Sequence, residues 1–201
     1  MIIAVEGIDG AGKHTLADAL LDRVPADTLA FPRYDDSAAA QLAQAALHGK
    51  MGDMADSAYA MAAMFALDRH GALDTLSEYA GASGRTLILD RYCASNAAYT
   101  WARTGDEAAL AWVEDLEFGR LGLPRPDLQV LVATPPEVAG ARAERREACD
   151  ATRTRDRYER DEALQHATAQ AYAELARRGW AGRWVVSNDA AVIIEAIHTL
   201  R

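Results

Sequence analysis

Apolar side chains in this sequence fall into short unbroken runs, separated by longer stretches in which they recur every three or four residues. The runs are IIAVEG at 2–7, TLAFPRY at 28–34, TLILDRY at 86–92, LQVLVAT at 128–134 and RWVVSND at 183–189. Strand-like runs alternating with helical stretches predict a parallel sheet with helices on both faces, an α/β architecture of three layers. IIAV, LILD and LQVLVA are apolar over most of their length, as strands covered on both sides must be, so they are placed in the middle of the sheet. From 53 to about 79 the apolar positions Tyr59, Ala62, Phe65, Leu73 and Leu76 follow helical spacing, which predicts one long helix that Gly71 bends or weakens. There is no internal repeat and no Gly/Ser-rich linker, so one domain over 1–201 is expected.

Composition narrows the class. The chain has 201 residues, half of them apolar, enough for one well-filled core. No run approaches the roughly 20 apolar residues of a membrane span, and MIIAVEG starts directly as a strand, so a cytoplasmic protein with no membrane partner is expected. Cys93 and Cys149 are far apart with no second pair, and read as two free thiols. A net charge of −9 argues against nucleic acid as a partner. Positive charge is concentrated instead in seven arginines between Arg142 and Arg160.

The first chemistry-bearing motif follows the first strand. Gly7, four residues, then Gly12 and Lys13 give GxxxxGK, between a buried-strand pattern and the helix-forming LADALLDR. Glycines let successive backbone N–H groups face phosphate oxygens, the following helix adds its positive end, and Lys13 supplies a point charge. Gly7, Ile8, Asp9, Gly10, Ala11, Gly12, Lys13, His14 and Thr15 thus form a candidate phosphate-binding loop, such as a switch GTPase, an ATPase motor or a small-molecule kinase would carry. His14 stands where such loops usually offer magnesium a hydroxyl, and imidazole suits that ion poorly. His14 is therefore expected to face phosphate or solvent, leaving the metal to Thr15 or a carboxylate. Asp90 ends an apolar strand, where a carboxylate beside the phosphates would serve a metal ion, although a strand-end turn residue reads the same way.

GIDGAGKHT, FPRY at 31–34, Phe65 and Arg69 within MFALDR, DRYCASNAAY at 90–99 and RDRYERD at 155–161 together resemble thymidylate kinase, in that order and over nearly the whole chain. The resemblance implies a P-loop kinase fold with a five-stranded parallel sheet and an Arg-rich lid at about 142–156. It implies transfer of the γ-phosphate of ATP to dTMP, giving dTDP for dTTP synthesis, with magnesium, in a homodimer. A kinase of another nucleoside monophosphate or of a deoxynucleoside is the alternative. A guanine-nucleotide switch is disfavoured, because ATPPEV stands after the fourth strand where an NKxD-like reader is needed.

The resemblance also assigns roles. Phe65 and Arg69, four apart on one helix face, would hold the thymine, although Phe65 alone reads as core. Tyr34 and Arg91 would hold the acceptor phosphate, Asn96 the base edge, and Tyr99 would crowd the sugar 2′ position. Asp9 is assigned to the sugar 3′-hydroxyl and magnesium, and Tyr158 to the acceptor nucleotide. Glu159 and Asp156 would place magnesium or its waters, while Glu159 equally suits a helix-surface ion pair. Glu6 either shares the Asp9 corner or is solvated at its strand end.

Since Gly10 occupies the position at which some relatives carry an arginine, catalytic positive charge is expected from the lid. Arg146 and Arg153 are the candidates, with Arg142 and Arg155 behind them; the same charge run also reads as a solvated helix face.

Overall fold

All of β1 (Ile2–Glu6) and β4 (Leu128–Leu131) is buried, as unbroken apolar runs require of strands covered on both faces. The computed structural model describes residues 1–82, 84–149 and 154–200. With β2 (Asp27–Ala30), β3 (Leu87–Asp90) and β5 (Trp184–Val186), these strands form one sheet in the order β2-β3-β1-β4-β5. Every pairing is parallel. The three runs assigned to the middle of the sheet are its three inner strands. The register sets Val5 beside Asp90 and Glu6 beside Leu131, so the carboxyl ends of the inner strands open onto one edge. That is where open parallel sheets place their ligands.

Helix α1 (Lys13–Leu21) packs on β1 and β3 and meets α10 (Ala190–His198). Elsewhere α5 (Cys93–Thr104) packs on α9 (Glu162–Arg178), α6 (Ala108–Glu114) and α3 (Ala58–His70), and α9 reaches β4 and β5. A π-helical turn, Asp115–Arg120, continues α6. Helix α2 (Ala38–Leu47) lies against α3, capped by the Ser37 hydroxyl, which accepts from Ala40 N at 3.3 Å.

The long helix expected over 53–79 is divided into a 3-10 turn (Met54–Asp56), α3, and a short α4 (Leu73–Ser77). Ser57 starts α3 by accepting from Ala60 N at 3.1 Å. Its end has a tertiary cause. Arg33 Nη2 donates to the carbonyl of Asp68, and Ala72 N, the natural helical partner of that carbonyl, bonds Arg69 O at 3.0 Å instead. The Asp68 carboxylate accepts from Arg33 N and Nε, both at 3.0 Å, so the loop after β2 is fastened to α3. The Phe31-Pro32 peptide in that loop is cis.

The Arg-rich region forms α7 (Pro136–Cys149) and, beyond residues 150–153, a short α8 (Arg157–Arg160). Asp156 opens α8 with a capping box: its side chain accepts from Tyr158 N and Glu159 N, and Glu159 accepts from Asp156 N at 3.3 Å. Among the described residues no helix is long and apolar enough to cross a membrane.

Candidate active site

Between β1 and α1 the backbone turns through three glycines of positive φ: Gly7 (150°), Gly10 (77°) and Gly12 (103°). Gly10 has a further constraint, since a Cβ there would fall 2.2 Å from the carbonyl oxygen of Ala139 in the first turn of α7. No side chain fits at this position. Gly12 precedes α1 and no side chain caps the helix, so its first N–H groups are left for a ligand. Lys13 is buried and donates from Nζ to Ile8 O at 2.9 Å. Burial, then the nearby Arg91 charge, lower its pKa to about 8. From the far side, Thr134 Oγ1 donates to Ala11 O at 2.8 Å and Arg142 Nη1 to the same oxygen at 3.3 Å.

His14 takes the solvent side of the two orientations expected for it. Its side chain is 85% exposed and lies 3.6 Å from Asp18 one turn along α1. Thr15 is exposed beside it.

At the exit of β3, Arg91 has a φ of 68°, the left-handed region that side chains rarely occupy. Its amide bonds Val5 O at 2.9 Å, and the turn sends the guanidinium back to the loop. There Nη1 donates to Gly7 O at 3.1 Å and Nη2 pairs with Asp9. Burial pushes the Asp9 carboxyl up, but Arg91 and Lys13 outweigh it and bring the pKa to about 2. Asp90, the strand's last residue, acts on Lys13 through its charge.

Glu6 is not solvated at its strand end. It is fully buried and accepts from Tyr92 N (2.8 Å), Ser95 Oγ (2.7 Å) and Tyr172 Oη (3.0 Å). Burial raises its pKa, against the hydrogen bonds and the Arg91 charge.

A cavity of about 300 Å³ opens beside this corner. Phe65, Arg69, Asn96 and Tyr99 line one side, from α3 and α5; Tyr34, Arg91 and Asp9 line the loop end. Asp156, Tyr158 and Glu159 close it from α8. All ten were singled out in the sequence. Tyr99 and Tyr158 stack with ring centroids 5.9 Å apart, and Tyr99 Oη donates to Asp9 Oδ2 at 2.7 Å. Glu159, pushed up to about 7 by burial and then by the Asp9 and Asp156 charges, leans on Arg146 for part of its balance.

The arginines expected to form a lid divide. Arg146 is exposed on α7. Arg155 is turned away, donating to Glu147 (2.9 Å) and Glu144 (3.3 Å). Arg153 lies outside the described residues.

Two residues at this site escaped the sequence reading, one lining the cavity and one buried behind it. Glu117, 0% exposed in the π-helical turn, accepts from Arg69 Nε at 2.6 Å and Nη2 at 2.8 Å. The two stand 48 positions apart, and nothing in the sequence marks the pairing. Arg103 was legible in principle, four residues after Tyr99 on the same helix face. It donates to Tyr158 Oη and to Ala55 O (2.7 Å).

Among the described residues no three His, Cys, Asp or Glu side chains converge as a ready-made metal cage. Magnesium rarely needs one, because substrate phosphates and water complete its shell around one or two carboxylates. Asp9, Asp156 and Glu159 all line the cavity, and the charges of the first two help raise the Glu159 pKa, so they could offer that oxygen set.

A family model described as Thymidylate kinase matches residues 5–200. A protein of Mycobacterium tuberculosis named thymidylate kinase is 53% identical over 194 residues, covering 92% of this chain and 90% of that one. The solved thymidylate kinase of Candida albicans superposes with a TM-score of 0.73 at 23% identity, covering 98% of this chain and 91% of that one. A deoxyadenosine kinase from M. mycoides superposes with a TM-score of 0.66 at 15% identity, over 99% and 97% of the two chains. At such identities the two superpositions speak for the fold alone.

Proposed function

This chain belongs to the thymidylate kinase family, and on that premise we propose that it transfers the γ-phosphoryl group of ATP to dTMP, giving dTDP and ADP. The observation that carries the reading is one cavity running from Phe65, Arg69 and Asn96 at its base end to Asp9 and Arg91 at the phosphate loop.

In this reading the loop of residues 7–15 holds the donor phosphates through backbone N–H groups and Lys13. Phe65 lies against the pyrimidine, Arg69 and Asn96 read its edge, and Arg91 with Tyr34 holds the acceptor phosphate. Tyr99 and Tyr158 flank the sugar, whose 3′-hydroxyl meets Asp9. A phosphate monoester is largely ionised near neutral pH, so its oxygen attacks without a protein base. Arg146 and Arg153 stabilise the charge that spreads over the migrating group, and Arg142 steadies the loop from behind. Asp9, with Asp156, Glu159 and Asp90, would hold magnesium, which when bound offsets charge on the phosphate oxygens.

We also read the chain as a single cytoplasmic domain that works as a homodimer. The dimer reading is supported by Leu42, Tyr59 and Leu67, large apolar side chains 43%, 38% and 45% exposed on α2 and α3. The decisive assay supplies ATP and magnesium with dTMP, dUMP, dCMP, dAMP or thymidine. Preferential formation of dTDP is expected; phosphorylation of thymidine or dAMP in preference to dTMP would replace the reading.

A further inference from the structure

The base end of the cavity contains a three-residue device with a direction built into it. Asn96 Nδ2 donates to Ala62 O and to Glu117 Oε1, both at 2.8 Å. Each of those oxygens can only accept, so the atom between them must be the amide nitrogen, and both of its hydrogens are spent. The Asn96 carbonyl oxygen is left as the free acceptor, on a residue that lines the cavity. Glu117 does the same to Arg69: its two oxygens take Nε (2.6 Å) and Nη2 (2.8 Å), and among the described residues no acceptor is recorded for Nη1. The cavity edge therefore offers an acceptor from Asn96 and a donor from Arg69.

That pair matches one kind of pyrimidine edge. Thymine and uracil present N3–H as donor and O4 as acceptor, which Asn96 Oδ1 and Arg69 Nη1 complement. Cytosine presents the reverse, an N3 acceptor and an N4 amino donor. To serve cytosine, Arg69 Nη1 would have to withdraw from the N4 amino group and the Asn96 amide would have to flip, setting Oδ1 against the Glu117 carboxylate and the Ala62 carbonyl. Three acceptors would then meet in a buried site with no hydrogen between them, a costly arrangement.

We infer that Glu117, which touches no substrate in this arrangement, is the positioning residue that sets the polarity of base reading and excludes cytosine nucleotides. This rests on the proposed dTMP-kinase reading and adds to it the source of discrimination.

The test compares kcat/KM for dTMP, dUMP and dCMP in the wild type, Glu117→Gln and Glu117→Asp. In Glu117→Gln one carboxylate oxygen becomes an amino group, which removes the carboxylate's share of the block on the flip, leaves that of Ala62 O, and loosens the hold on Arg69. The dTMP-to-dCMP ratio is expected to fall at least tenfold, mainly through KM. The dTMP-to-dUMP ratio, which reports the methyl group on an identical edge, should hold. A merely structural role would lower all three substrates together and leave both ratios unmoved, which would overturn the inference.

Should Glu117→Gln leave Arg69 so poorly balanced that it fails to fold, Glu117→Asp decides. It keeps the charge but, one methylene shorter, cannot hold both partners. A fall of threefold or more in the dTMP-to-dCMP ratio supports the inference, and a wild-type ratio overturns it. A wild-type enzyme that forms no dTDP would instead sink the functional reading itself, so the two failures are distinguishable.

Discussion

Tyr99 donates its hydroxyl hydrogen to Asp9 Oδ2 at 2.7 Å while Arg91 pairs with the other carboxylate oxygen, so α5 and the exit of β3 hold one carboxylate of the phosphate loop from two sides. Tyr99→Phe keeps the ring stacked on Tyr158 and removes that bond. A hydrogen bond to a charged group contributes about 1.5 kcal/mol or more, so kcat/KM for dTMP should fall about tenfold. Preference for deoxyribose over ribose should survive in Tyr99→Phe and relax in Tyr99→Ala. Steady-state kinetics with dTMP and its ribonucleotide counterpart check both; an unchanged kcat/KM in Tyr99→Phe removes Asp9 orientation from the role of Tyr99.

Lys13 gives a proton-linked signature. Its pKa of about 8 lies below the usual 10.5, so around pH 8 a large share of the free protein holds it neutral, whereas bound phosphates favour the ammonium. ATP binding near that pH should therefore take up a proton, and affinity should weaken as pH rises through about 8. Calorimetry in two buffers of different ionisation enthalpy reads the uptake directly. Lys13→Met should abolish it.

Glu159 titrates in the opposite sense for function. Its pKa, raised from 4.5 to about 7, leaves it protonated on the acid side, where it is a poor magnesium partner. A rise of kcat/KM with pH through about 7 is expected, and Glu159→Gln should lose that arm. Stability runs the other way: the folded state binds more protons than the unfolded one between 4.5 and about 7, so stability conferred by this group falls as pH rises across that window. Thermal melts of the nucleotide-free protein should show the decline in the wild type and a flatter profile in Glu159→Gln.

Gly10→Ala should be among the most damaging small substitutions in the chain. The new Cβ would sit 2.2 Å from Ala139 O on a backbone of φ 77°. Left-handed strain and overpacking together predict a loss of roughly 2–4 kcal/mol, measurable by denaturant titration. Wild-type stability would mean that α7 yields freely at its root.

Arg146→Ala tests the lid. If its guanidinium acts mainly on transition-state charge, kcat should fall about tenfold or more with a smaller change in ATP affinity. An affinity loss as large as the turnover loss would reassign Arg146 to ground-state binding.

Much of this was legible in the sequence because the physics was local. The three inner strands were plain because burial on both faces leaves an unbroken hydrophobic signature, the two edge strands followed from the alternation with helices, and the glycines with Lys13 marked the loop. What escaped was set by distant partners. The break after His70 depends on Arg33 taking the Asp68 carbonyl oxygen, an interaction spanning 35 residues that no helical periodicity records. Glu117 looked like any acidic residue on a helix until Arg69 and Asn96 met it in the interior. Glu6 read equally well as a wet strand end, because Ser95 and Tyr172, which keep it dry, come from two helices far along the chain.

The Glu6 carboxylate also ties distant parts of the chain together. Its Tyr172 partner stands 166 residues further along. An N-terminal fragment containing the phosphate loop, Arg91 and the base-reading residues but ending short of α9 would leave that carboxylate underneath the loop without one of its three donors. The glycine loop of residues 7–15 thus rests on a floor that is complete only with α9 in place.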